Sequence, residues 1–186
     1  MILILKRALS QVRRLFTLET LNDLTPSEMH RLNAAKGCCD LHAFSSAMEE
    51  LSKISPESQS HPDVLEVRWQ VLMNTRQFEA ALKVANSLLV LRPEKPVSWT
   101  YLTSALLKTG QDEQAYSTLK DACERFPNDE VLHYGLALIC CSFQYLGEAK
   151  FHLAQAIELG GNAVKLQALE DEGLKPLWDN LGEVEI

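Results

Sequence analysis

A chain of 186 residues, 46 % of them hydrophobic, is long enough to bury the core of one ordinary domain and too apolar to be a disordered tail. Its 18 lysines and arginines stand against 25 aspartates and glutamates, and the resulting net charge of −7 repels phosphate backbones, which excludes nucleic acid as a general partner. Five cysteines, four of them adjacent (Cys38 with Cys39, Cys140 with Cys141), neither close useful loops nor keep the spacing of a zinc site, so they read as reduced thiols in a cytoplasmic setting.

Residues 1–24 are predicted to form an amphipathic helix and a linker. Leu5, Leu9, Val12 and Phe16 share one helical face, while Lys6, Arg7, Arg13 and Arg14 come with no acid. Three readings of this helix compete: one docked on the rest of the chain, which is favoured, a membrane-surface anchor through residues 1–16, and a cleaved organellar presequence. No apolar run approaches the ~20 residues of a membrane span.

Next comes a helix start at Thr25-Pro26-Ser27-Glu28, where Thr25 caps, Pro26 suits the first turn and Glu28 closes a capping box; the helix is expected to end near Lys36, with Gly37 breaking it. Phe44, Ala47, Leu51 and Ile54 stand 34 residues ahead of Phe78, Ala81, Ala85 and Leu88, so residues 26–57 form a divergent repeat. Three clear repeats follow at 62–95, 96–129 and 130–163. In the middle one Trp99, Leu102, Leu106, Gly110, Ala115, Leu119, Ala122 and Pro127 set the register. The preceding columns hold Leu65, Arg68, Leu72, Arg76, Ala81, Ala85, Leu88 and Pro93; the following ones hold His133, Leu136, Cys140, Gln144, Ala149, Leu153, Ala156 and Gly161. The column Ala81, Ala115, Ala149 stays small because two helices approach closely only where a side chain is little more than a methyl. Paired helices are predicted near 63–75 and 78–91, 97–109 and 112–125, and 131–143 and 146–159. Gly110 takes the left-handed conformation between one pair, Asp112 caps the helix after it, and Asn128-Asp129 and Gly160-Gly161-Asn162 mark the boundaries. Residues 164–186 are expected to give a short helix over Val164–Leu169, a cap formed by Leu174, Leu177 and Trp178, and an acidic tail.

This pattern resembles the tetratricopeptide repeat. The resemblance implies an all-α fold, a right-handed α-solenoid of antiparallel helix pairs with three clear repeats, one divergent N-terminal repeat and a C-terminal cap. It also implies that the first helix of each repeat lines a concave groove, here through Val67, Gln70, Val97, Tyr101, Ser104, Val131, Tyr134 and Leu138. Such a strip suits an extended or helical peptide with apolar anchors. The carboxylate clamp of some family members needs basic residues and asparagines where this chain has Glu66, Gln70, Tyr101, Val131 and Gly135, so binding of that kind is disfavoured.

No phosphate loop, no H-E-x2-H and no nucleophile–base arrangement occurs, so no catalytic, cofactor-binding or metal-ligating residues are expected. His42 beside Cys38 and Cys39 is a poor ligand set, because adjacent cysteines on a helix do not face one ion without strain. His133, in the Trp99 column, reads as a packing residue with a polar edge. The function expected is a non-catalytic adaptor, assembly factor or scaffold with a protein or peptide partner and no cofactor. A small acidic chaperone resembling those of type III secretion is the alternative, an enzyme or metal protein is the remotest reading, and the N-terminal helix or a second copy of the chain is a further candidate occupant of the groove.

Overall fold

The computed structural model describes residues 23–178, and the reading of residues 1–16 as a docked or anchoring helix therefore lies outside the described residues. Every regular element among them is a helix: α1 (Pro26–Asp40), α2 (Phe44–Ser52), α3 (Pro62–Asn74), α4 (Phe78–Leu91), α5 (Pro96–Lys108), α6 (Asp112–Arg125), α7 (Glu130–Ser142) and α8 (Leu146–Glu170), with 3-10 turns at Pro56–Ser58 and Glu172–Leu177. The chain divides into two compact units, one up to Val71 and one from Leu72 onward, and α3 runs from the first into the second.

In the first unit, Thr25 and Glu28 form the expected capping box: the Thr25 amide donates to Glu28 Oε2 at 2.9 Å and the Glu28 amide to Thr25 Oγ1 at 3.3 Å. The other oxygen of Glu28 accepts from the Ser55 hydroxyl at 2.5 Å, tying the start of α1 to the segment after α2. These donors, Ser55 first, hold the Glu28 carboxyl down at about 2. Leu32, Ala35 and Cys39 of α1 pack with Ala47 and Leu51 of α2, Ile54, and Val64, Val67 and Val71 of α3. Gly37 does not end α1, which continues to Asp40. A side chain at Gly37 would meet nothing, so its cost is only the ~1 kcal/mol of helix propensity, and burial of Cys39 in the same helical turn outweighs it.

One turn recurs along the chain with the period of the sequence. His42, Arg76, Gly110 and Gln144, spaced by 34, all take left-handed backbone, with φ of 56, 59, 73 and 61°. After each, the next amide closes a six-residue ring: Ala43 to the Cys38 carbonyl, Gln77 to Leu72, Gln111 to Leu106 and Tyr145 to Cys140, at 2.8 to 2.9 Å. This is the Schellman end of a helix, present even in the divergent repeat, and only Gly110 adopts it without a Cβ penalty. The small column extends the same way: Ala47, Ala81, Ala115 and Ala149 are fully buried.

In the second unit α4 packs on α5, α5 on α6, α6 on α7, and α7 on α8. Asp129 caps α7, its Oδ1 accepting from the Leu132 amide at 3.0 Å. Asp112, in contrast, is the first residue inside α6; Gln111 occupies the capping position and makes no side-chain cap, so the acid acts only through the helix dipole. The boundary expected at Gly160-Gly161-Asn162 is present: Gly161, with φ of 66° and ψ of −153°, leaves helical geometry and divides α8 by a kink, so the stretch over Val164–Leu169 is a second helical segment beyond it. The 3-10 turn then returns against α7 and α8, burying Leu174 and Leu177, while the Trp178 indole donates to the Ala168 carbonyl at 3.0 Å.

Candidate functional site

The second unit carries a shallow groove of about 270 Å³ between α5 and α7, lined by Thr100, Thr103, Ser104 and Leu107 on one side and Val131, Tyr134, Gly135 and Leu138 on the other, with Leu119 and Ile139 at its floor. The helical spacing explains it, since residues at i, i+3, i+4 and i+7 of each first helix share a face. Gly135 keeps the floor open: a Cβ there would lie 3.1 Å from Leu119 Cδ2. No lining residue is charged, and Val131 (58 % exposed) and Leu107 (39 %) leave apolar surface in water. The Thr103 hydroxyl is buried without a partner among the described residues.

Of the residues expected to form a peptide groove, Ser104, Val131, Tyr134 and Leu138 line this one. Val97 is exposed and Tyr101 half-buried on α5, outside the lining. Gln70 is exposed in the first unit, and Val67 requires correction: at 3 % exposure it belongs to that unit's core. The reason is that α3 is buried on more than one stripe, through Val64, Leu65, Val67, Val71 and Leu72, so one register does not identify its open face.

Tyr134 is also less available than a groove residue should be. It is 8 % exposed, and its hydroxyl donates to Asp171 Oδ2 at 3.0 Å. Burial and that carboxylate push the phenol well above its usual range, so it stays protonated and acts as a donor. Leu138 is approached by the same C-terminal segment, where a Cβ added at Gly173 would lie 2.7 Å from Leu138 Cδ2. The carboxyl end of the described chain thus covers one end of the strip and leaves the Leu107–Val131 end open. No helix among the described residues is long and apolar enough to cross a membrane.

A second cluster lies behind the groove, on the other side of α7. Trp99 donates its indole N–H to the carbonyl of Pro93 at 3.0 Å, and 34 residues later His133 Nε2 meets the carbonyl of Pro127 at 3.1 Å. The ring that replaces the tryptophan therefore keeps its bond, in line with the packing role expected of it. Its other nitrogen does something a tryptophan does not: His133 Nδ1 lies 2.9 Å from His152 Nδ1 in a stacked, buried pair. Cys123 is the third member, and donor atoms of the three lie within 4.8 Å of one another. His152 Nε2 looks toward Glu148 Oε1 at 4.0 Å, a carboxylate held by the Tyr116 hydroxyl at 2.9 Å and by Lys120 at 3.4 Å.

A family model described as tetratricopeptide repeat matches residues 96–139. No curated protein matches the chain significantly in sequence. Among solved structures the chain is similar to residues 41 to the end of MamA from Desulfovibrio magneticus RS-1, with 18 % identity, a TM-score of 0.65, and coverage of 87 % of this chain and 94 % of that one. It is similar to a thermophilic tetratricopeptide-repeat protein of Thermus thermophilus, with 20 % identity, a TM-score of 0.66 and 83 % of each chain covered. A chain of the Cut9–Hcn1 hetero-tetramer of the APC/C is similar at 19 % identity and a TM-score of 0.66, over 86 % of this chain and 30 % of that one. At such identities the likeness is one of fold.

Proposed function

We propose that the chain is a non-catalytic interaction module of the tetratricopeptide-repeat kind that binds a protein segment in the α5–α7 groove; the repeat matched over residues 96–139 and the likeness of fold support this reading. The observation that carries the reading is the uncharged groove with Leu107 and Val131 exposed at its open end. Apolar anchors of a peptide or a short helix would bury there, while Thr100 and Ser104 offer hydroxyl oxygens to its backbone. Only Tyr134 among the lining residues titrates, and as a protonated phenol it supplies no general base. The Cut9–Hcn1 structure is a hetero-tetramer, which agrees with an assembly role for this fold. A cytoplasmic setting fits the five free thiols.

Leu107→Asp with Val131→Asp tests the reading, because both side chains are exposed and their replacement leaves the helices intact. A protein retained from native lysate by the unaltered chain should be lost from this variant, with binding weakened by ~2 kcal/mol or more. Equal retention by a variant of unchanged circular dichroism would sink the assignment of the groove.

A further inference from the structure

The geometry points to a binding site for zinc or a similar divalent transition-metal ion formed by Cys123, His133 and His152. One buried thiol and two imidazoles, from α6, α7 and α8, put donor atoms within 4.8 Å of one another. Thiolate and imidazole are both ligands that zinc takes, and three of them leave a fourth position for water or a further group.

The hydrogen bonds favour the ion. Pro127 offers only a carbonyl, so His133 Nε2 must carry the proton and His133 Nδ1 must present a lone pair. Between the two rings that lone pair accepts from His152 Nδ1–H, leaving His152 Nε2 unprotonated opposite Glu148. Binding of a metal reverses the second histidine only: its proton moves from Nδ1 to Nε2, where Glu148 stands to receive it, and Nδ1 becomes the second ligand. His133 is then oriented from behind by the Pro127 carbonyl, the support that metal-bound histidines ordinarily have, and Glu148, 4.0 Å from His152 Nε2, would close by roughly 1 Å to do the same for the second ring. Zinc bonds of about 2.0 to 2.3 Å place neighbouring donors roughly 3.3 to 3.6 Å apart, so the two nitrogens need to part by only about half an ångström. Cys123 binds as thiolate and releases its proton to solvent. Burial pushes that thiol up to about 12, and the charge of the bound ion is what overcomes it. His152, the most exposed of the three at 9 %, gives the way in.

The experiment is zinc binding to the full chain, stripped with chelator and kept reduced, followed by calorimetry and by the melting temperature. One zinc per chain with a raised melting temperature is expected. Cys123→Ser and His152→Gln should each weaken binding by at least about tenfold, and Cys38→Ser with Cys39→Ser should leave it unchanged. Absence of stoichiometric binding, equal binding by the Cys123 and His152 variants, or loss confined to the Cys38/Cys39 variant would overturn the site. Should the site variants fail to fold, cobalt(II) added to the Cys38→Ser/Cys39→Ser chain decides: a tetrahedral spectrum with a thiolate charge-transfer band supports the site, and an octahedral, aquo-like spectrum overturns it.

Discussion

The repeats at 96–129 and 130–163 share one backbone and differ in their chemistry, column by column. Trp99 becomes His133 and keeps its bond to the proline carbonyl six residues earlier; Gly110 becomes Gln144 and keeps the left-handed turn; Lys95, which caps nothing, becomes Asp129, which caps α7. The first of these repeats is followed by another helix pair, whereas the second is followed by the kinked end of α8 and the 3-10 turn. Backbone hydrogen bonds and a column of alanines preserve the architecture, which frees the remaining columns to diverge. It is in the more divergent repeat that the histidine cluster and the C-terminal cover appear.

The largest test of that contrast is at the cover. Leu174→Ala, at a fully buried position, should cost ~2–5 kcal/mol, and hydrogen exchange should rise in α7 and α8 before α5 and α6. An unchanged denaturation midpoint would mean that the segment is an ornament and not part of the stack. Next is the alanine column: Ala115→Leu and Ala149→Leu should each overpack a fully buried helix crossing by ~1–3 kcal/mol. Should one be tolerated, chemical denaturation will show that the two columns are not equivalent. The turns come third, with opposite signs expected. Gly110→Ala should destabilise by ~1 kcal/mol or slightly more and Gln144→Gly should stabilise by ~0.5–1 kcal/mol, since the left-handed backbone penalises a Cβ; like signs in thermal melts would contradict the shared geometry. The smallest is Lys95→Asp, which should copy the cap of α7 onto α5 and raise the midpoint by the equivalent of ~0.5–1 kcal/mol.

Much of the fold was legible because its determinants are local. The Thr25–Glu28 box and the cap at Asp129 depend on residues within one turn of one another, and the alanine column is a local pattern repeated with a period of 34. Gly37 misled because helix propensity is weak beside the burial of Cys39. Val67 misled because α3 buries more than one stripe. Four of the eight expected groove residues line the groove, and Tyr134 among them is engaged by Asp171, 37 residues ahead, a contact no periodicity reveals. The Cys123–His133–His152 cluster has the same character: its members are separated by 10 and 19 residues on three helices, outside any motif spacing. The available signal was chemical, since a polar ring that packs in the tryptophan column needs partners for both nitrogens.

The returning 3-10 turn also bears on assembly. Stacked repeats are open-ended by construction, and a head-to-tail contact that does not close on itself propagates into filaments. Leu174 and Leu177 occupy the face of α7 and α8 on which a further helix pair would stack, and the Tyr134–Asp171 bond fastens them there. The segment therefore works as a chain terminator for the stack. It covers apolar surface at this end of the described helices, whereas Leu107 and Val131 at the sideways groove keep theirs exposed.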